Sequence, residues 1–277
     1  MCQSVKWLPL LIKSGGVAKT TTTVNLGNAL ARKGKKVLLI DLDPQGDLTA
    51  SLGYKNPDSI DLTIKNLMEK VIQDYSIEKN EGILQSNEGV SFVPANIELE
   101  ALERSMTKYM NNEKILRNYV NQVKEDYDYI LIDCRPSLGL LTINALAAVD
   151  SVIIPVQAQY LPLKGMTQLM QTIDKTRVQI NPKLKIEGIL ITIADMKTTL
   201  AKATVETLKS NYGKRIKIYN TVIPMGVKAA ESTIEGKSVY AYDKRSKPAI
   251  AYEQFTEEVL KNSERDKTRS SQCRWVI

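Results

Sequence analysis

Short runs of consecutive apolar residues recur along the chain at Lys36–Leu42, Val90–Pro94, Tyr129–Asp133, Ser151–Val156, Ile186–Ile193 and Ile218–Pro224. Continuous rather than alternating runs of this length mark strands covered on both faces, as in a parallel sheet. Between them, apolar residues fall at helical spacing. Lys19–Arg32 carries Val24, Leu26, Ala29 and Leu30 and stops at Gly34. Glu98–Lys124 reads as one long amphipathic helix with a break at Asn111-Asn112, and Lys164–Ile180 ends at Asn181-Pro182, where proline cannot continue a helix. The alternation predicts an α/β fold: a doubly wound, mostly parallel sheet with helices on both faces. No repeat or low-complexity linker divides the chain. One domain is expected over residues 1–260, with the polar stretch Lys261–Ile277 as a frayed tail.

Composition narrows the chemistry. The 277 residues, 43% hydrophobic and 25% charged, suit a globular domain with a sizeable core. No apolar run approaches the roughly 20 residues that span a bilayer. The apolar stretch Trp7–Ile12 lacks a small-residue cleavage site, so no signal peptide is expected. Three scattered cysteines (Cys2, Cys134, Cys273) make neither a disulfide framework nor a zinc site and fit a reducing cytoplasm. The absence of histidine excludes Ser/His/Asp and Cys/His nucleophile systems and His-ligated metals. Chemistry is left to carboxylates, lysines, hydroxyls, backbone amides and a recruited cation.

One segment stands out against this background. Ser14-Gly15-Gly16-Val17-Ala18-Lys19-Thr20-Thr21 lies between a short apolar run and a helix. Glycines let successive N–H groups turn toward phosphate oxygens, and the helix N-terminus adds partial positive charge. Lys19 suits the β- and γ-phosphates, and the Thr20 hydroxyl suits Mg²⁺. The loop departs from strict G-x-x-x-x-G-K-[ST], with Lys13 and Ala18 at the glycine positions. Two strand ends add carboxylates: Asp41 and Asp43 in Asp41-Leu42-Asp43-Pro44-Gln45-Gly46, and Asp133 after Tyr129–Ile132, as in a Walker B segment. A dinucleotide-binding loop is the competing reading, with Asp41 or Asp43 on a ribose. Such a loop needs a third glycine where Lys19-Thr20-Thr21 stands, and a lysine with two hydroxyls suits a triphosphate and Mg²⁺ better.

These blocks resemble the ParA/Soj-type DNA-partition ATPases, P-loop NTPases with a deviant Walker A loop. The similarity runs through residues 14–54, 93–103, 127–165 and 229–243, and covers roughly residues 14–260. The loop begins so near the N-terminus that no helix-turn-helix domain is expected before it, as in the small single-domain members. By that resemblance Gly15, Gly16, Val17, Ala18, Lys19, Thr20 and Thr21 bind ATP, and Lys19 and Asp43 are catalytic, Asp43 positioning the attacking water. Thr20 and Asp133 serve Mg²⁺, Pro224 and Gly226 contact the adenine, and Pro136–Gly139 senses the γ-phosphate. The resemblance further implies a homodimer on ATP binding, non-specific binding of double-stranded DNA, and a ParB-like centromere-binding protein that stimulates hydrolysis. Partition of plasmid or chromosomal DNA, in the cytoplasm on the nucleoid, is the function implied. Three positions depart from the family pattern: Ser14 replaces a signature lysine that reaches the partner subunit, Ala18 replaces glycine, and Arg135 replaces proline. The first bears on the efficiency of hydrolysis rather than on ATP binding. Residues 1–13 also match poorly, since Lys6 and Pro9 interrupt what should be a central strand.

Charge is uneven. Residues 1–150 hold 17 Lys and Arg against 19 Asp and Glu, and residues 151–277 hold 21 against 12. Lys197, Lys202, Lys209, Lys214, Arg215 and Lys217 cluster with only Glu206 among them, and Lys202 and Lys209 share a helix face. Such cations suffice for phosphate contacts without base reading. Lys244, Arg245 and Lys247 are further candidates. Cys134 and the tyrosines at 109, 119, 127 and 129 read as packing. Two other functions compete with this one. A membrane-associated ATPase positioning the division site needs a continuous apolar face on a C-terminal helix, where the tail offers Trp275, Val276 and Ile277; no membrane partner is expected. An ATP-gated DNA-binding regulator with weak or no hydrolysis is the other.

Overall fold

A computed structural model describes the backbone of residues 6–10, 16–158 and 163–272, and side chains within 16–158 and 165–262. In chain order the elements are β1 (Lys6–Leu10), α1 (Lys19–Arg32), β2 (Val37–Leu42), α2 (Asp47–Ser51), α3 (Ile64–Ile72), β3 (Leu84–Gln85) and β4 (Ser91–Val93). Then come α4 (Leu99–Met106), α5 (Ile115–Val123), β5 (Tyr129–Cys134), α6 (Leu140–Ala148), β6 (Ser151–Gln157) and α7 (Leu163–Gln179). The chain continues through β7 (Lys185–Ala194), α8 (Thr199–Tyr212), β8 (Ile218–Pro224), α9 (Val227–Ile234), α10 (Val239–Asp243) and α11 (Lys247–Gln272).

The strands form one eight-stranded sheet in the order β3-β4-β2-β5-β1-β6-β7-β8. All pairs are parallel except β3 with β4. Period-two alternation sends neighbouring residues of one strand into different cores. Leu38, Ile40, Ile130, Ile132, Val152 and Ile154 pack with α3 to α8, while Leu39, Leu131 and Ile153 pack with α1, α2, α10 and α11. The expected doubly wound architecture is therefore present, with every residue of β2 and β5 buried.

The helical stretch Glu98–Lys124 breaks where expected, at Asn111-Asn112, because Asn111 adopts a left-handed conformation (φ 54) ahead of a 3-10 turn at Asn112–Lys114. Differences from the sequence reading have local causes. Lys6 and Pro9 do not prevent β1 from forming. It pairs in register with β5 from Lys6↔Tyr129 to Leu10↔Asp133, and with β6 at Leu10↔Ile153. Confining the β6 pairing to Leu10 puts little demand on a proline that donates no hydrogen bond. The helix α11 continues through Gln272, across residues expected to fray, and Trp275, Val276 and Ile277 lie outside the described residues. Its inner face, with Tyr252, Phe255 and Val259, is part of the core. Glu258 on α11 accepts from the N–H groups of Asn220 and Thr221 and from the Thr221 hydroxyl, which covers donors of the edge strand β8. Among the described residues no helix is long and apolar enough to cross a membrane.

Candidate functional site

Parallel strands all end on one edge of the sheet, and that edge is where a doubly wound fold forms its crevice. Here it holds a cavity of about 690 Å³. One wall is Gly16, Ala18, Lys19, Thr20 and Thr21, at the start of α1. Asp43 and Asp47 enter from the end of β2 and the start of α2, and Pro136 from the loop after β5. The far wall is largely apolar, with Ile193, Ile223, Pro224, Met225, Gly226 and Val227. The structure thus brings Pro224 and Gly226 to the same cavity as the glycine-rich loop, although some two hundred residues separate them. Gly15, Ser14 and Lys13 lie outside the described residues.

The loop geometry explains the residue types. Gly16 sits at φ 77, a conformation that L side chains rarely adopt. Ala18 also lies in the left-handed region (φ 61, ψ 36), so the replacement of glycine there is not the mild one that a negative φ would have made it. No side chain caps the first turn of α1, and no acidic residue stands in it. That leaves the positive end of the helix dipole facing the cavity. Val17 turns its side chain into the core, while its carbonyl accepts from the Thr192 hydroxyl at 3.0 Å, tying the loop to β7.

Beneath this wall lies a buried charged group of unusual composition. Lys19 is 8% exposed; burial lowers its pKa, against the opposing pull of Asp133 and Asp43. The Thr20 hydroxyl donates to Oδ2 of Asp133 at 2.5 Å. Burial pushes the Asp133 carboxyl up to about 7, and its Oδ1 is buried without a hydrogen-bond partner. A hydroxyl beside an under-satisfied carboxylate is a donor set that fits Mg²⁺, a cation that takes oxygen ligands and keeps several waters. Among the described residues no cluster of three or more His, Cys, Asp or Glu could hold a metal by itself, and waters or phosphate oxygens would fill the rest of a Mg²⁺ shell. Asp43 is half-buried, with its pKa raised by burial and its Oδ1 taking the Gln45 N–H at 3.1 Å.

Three features around the cavity were not legible in the sequence. Tyr252, on α11, lines the cavity and shares a 3.1 Å hydrogen bond with Thr22 of α1. No local motif marks it. Arg135 binds Glu103 of α4 at 3.1 Å, and Glu103 also accepts from the Leu141 N–H, so the substitution of proline comes with a tether for the Pro136–Gly139 loop. Ile193, at φ 49, is a strained β-branched residue where the β7–β8 register shifts. The cationic set is exposed but does not converge on one point. Lys202 and Lys209 share one exposed flank of α8, Lys197 precedes that helix, and Lys214, Arg215 and Lys217 follow it. Lys217 is also engaged, donating to Asn262 at 2.9 Å and lying over the Tyr219 ring.

A phosphate loop between the first strand and first helix, with carboxylates closing two neighbouring strands, defines the P-loop NTPase class of deviant Walker A type. Comparison with known proteins refines the class. A family described as "AAA domain" matches residues 6–186. The sporulation initiation inhibitor protein Soj of Bacillus subtilis is 40% identical over 261 residues, covering 93% of this chain and 99% of the relative. The chromosome partitioning protein ParA of Myxococcus xanthus is 39% identical, covering 90% and 86%. Among solved structures, cobyrinic acid a,c-diamide synthase from Mycobacterium smegmatis with bound ATP analog and magnesium superposes with a TM-score of 0.82 at 32% identity, covering 94% of this chain and 96% of that one. The chain belongs to the ParA/Soj family of partition ATPases.

Proposed function

We propose that the protein is an ATP-driven dimerising switch that binds DNA non-specifically and releases it on hydrolysis, partitioning plasmid or chromosomal DNA on the nucleoid with a ParB-like partner. The observation that carries this reading is the single cavity holding Lys19 and Thr20 over Asp133, Asp43 on one side, and Pro224 and Gly226 opposite. Loop amides, Lys19 and the α1 N-terminus would hold the triphosphate, Thr20 and Asp133 the Mg²⁺, and Pro224 and Gly226 the base. The metal would neutralise charge on the phosphates. Asp43, beside the phosphate end of the cavity, would orient the attacking water.

Exposed apolar residues support dimerisation. Met225 and Val227, at 57% and 72% exposure, line the cavity on a side where a second copy can cover them. Ser14 makes slow basal turnover part of the reading, and Ser14→Lys is expected to raise it by restoring a cation that stabilises charge across the dimer. The test is Asp43→Ala, examined by turnover and by sedimentation in ATP. ATP binding should survive, hydrolysis should slow, and the dimer should accumulate. A variant that stays monomeric in ATP would refute the role given to Asp43.

A further inference from the structure

Asp41 is fully buried at the end of β2, yet it has no place in the reaction as described so far. Its Oδ1 accepts the N–H of Asp43 at 3.1 Å, and its Oδ2 accepts both the N–H and the hydroxyl of Thr49, at 2.9 and 2.7 Å. The Thr49 oxygen in turn accepts the Ala95 N–H at 3.1 Å. One carboxylate thereby joins the end of β2, the helix α2 and the segment after β4.

The turn it spans has little freedom of its own. The Gly46 N–H donates to the Asp43 carbonyl at 2.9 Å with φ 66, and a Cβ at Gly46 would lie 2.7 Å from Pro57. The carboxylate is nonetheless a costly way to close a strand. Burial, with Asp133 opposite it in the β2–β5 register, pushes the Asp41 pKa up to about 8, and the Thr49 and Asp43 hydrogen bonds pull it down. Stability alone favours an apolar residue at such a position, as at Leu39 and Leu131 on the same face. A buried acceptor for three fixed donors is worth its desolvation where it specifies one conformation.

We propose that Asp41 is a positioning residue, whose carboxyl group, with an acceptor oxygen on each side, locks the turn from Asp43 to Thr49 so that Asp43 is presented to the cavity. This rests on the hydrolytic role proposed for Asp43. Asparagine at position 41 keeps the shape but offers only one acceptor oxygen, so either the Asp43 or the Thr49 N–H meets an amide donor. Thr49→Val deletes the hydroxyl alone, and Thr49→Ser restores it.

The experiment compares the full-length wild type with Asp41→Asn, Thr49→Val, Thr49→Ser and Asp43→Ala, in ATP and Mg²⁺. Amide exchange at Asp43 and Thr49 is read together with nucleotide affinity and kcat. Asp41→Asn is expected to speed exchange at one of the two amides about ten-fold and lower kcat about ten-fold, with nucleotide affinity held within about two-fold. Thr49→Val should do the same more weakly, and Thr49→Ser should behave as wild type. If Asp41→Asn does not fold, the Thr49 pair decides. Unchanged exchange and kcat overturn the proposal, as does a parallel loss of nucleotide affinity and kcat, the mark of a merely structural residue. Wild-type turnover in Asp43→Ala means that the role of Asp43 failed, and the positioning claim is then judged on amide exchange alone.

Discussion

Thr20, at the start of α1, and Asp133, at the end of β5, are joined by a 2.5 Å hydrogen bond that spans 113 residues of sequence. The bond makes the phosphate loop and the second acidic strand a single unit. It also leaves a carboxylate in a place where ionisation is costly without a cation, since burial dominates the Asp133 environment and Lys19 only partly offsets it.

That cost has a measurable sign. A carboxyl whose folded pKa lies above its unfolded value stabilises the protein fully below the unfolded value and loses the contribution as pH rises through the folded one. For Asp133 the window runs from the ordinary 3.8 to about 7. Chemical unfolding of the nucleotide-free protein in chelator should show this loss, at up to about 1.4 kcal/mol per pH unit from Asp133, added to the share of Asp41, whose carboxyl burial pushes up to about 8. Asp133→Asn should remove one share of the slope, leaving that of Asp41, and be relatively more stable at the upper end of the window. Parallel profiles for the two proteins would mean that Asp133 is not the titrating group.

Lys19 faces the same cavity as a cation whose pKa burial lowers, held near Asp133 and Asp43. Removing it takes away the charge opposite the β- and γ-phosphates and leaves the buried Asp133 and the half-buried Asp43 without their neighbouring cation. Lys19→Ala should weaken nucleotide binding about a hundred-fold or more. Titration of the variant at wild-type affinity would exclude the loop as the triphosphate site.

Much of this was legible in the sequence because local chemistry and fold agree there. The continuous apolar runs became the strands β2 and β4 to β8, and Lys19–Arg32 is α1 with the expected ends. What stayed hidden depends on tertiary context. Tyr252 reaches the cavity from a helix more than two hundred residues downstream, and only the packing of α11 on α1 puts it beside Thr22. The strand β1 was obscured by Lys6 and Pro9, whose propensities are overridden by β5 alongside. The left-handed conformation of Ala18 could not be read from its identity, since alanine avoids that region.

Ala18 therefore offers a direct probe of loop strain. Holding an alanine at φ 61 costs about 1–2 kcal/mol, whereas a glycine there loses about 0.4–1 kcal/mol through the greater freedom of the unfolded chain. Ala18→Gly should stabilise the protein by up to about 1 kcal/mol in denaturant unfolding, and Ala18→Val should destabilise it. Destabilisation by glycine would show that the loop does not hold position 18 in the left-handed region.

The helix α8 supplies the last test. Its inner face is Ala201, Val205 and Leu208, and Lys202 and Lys209 are exposed together along one flank of that face. Two turns of helix separate them by about 10 Å, a span that can meet successive phosphates of a duplex. Each phosphate neutralised contributes about −0.9 to the slope of log affinity against log salt. Lys202→Ala/Lys209→Ala should make that slope shallower by about two on random-sequence duplex, and by more if a symmetric dimer presents both helices. Lys217→Ala should change it less, because that amine already donates to Asn262 and lies over Tyr219. Nucleotide affinity should not move, since neither lysine lines the cavity. The salt series is run with and without ATP, because dimerisation doubles the cations offered to one duplex. An unchanged slope in the double variant would move the DNA surface to Lys244, Arg245 and Lys247, ahead of Lys228, which is paired with Glu231 at 3.1 Å.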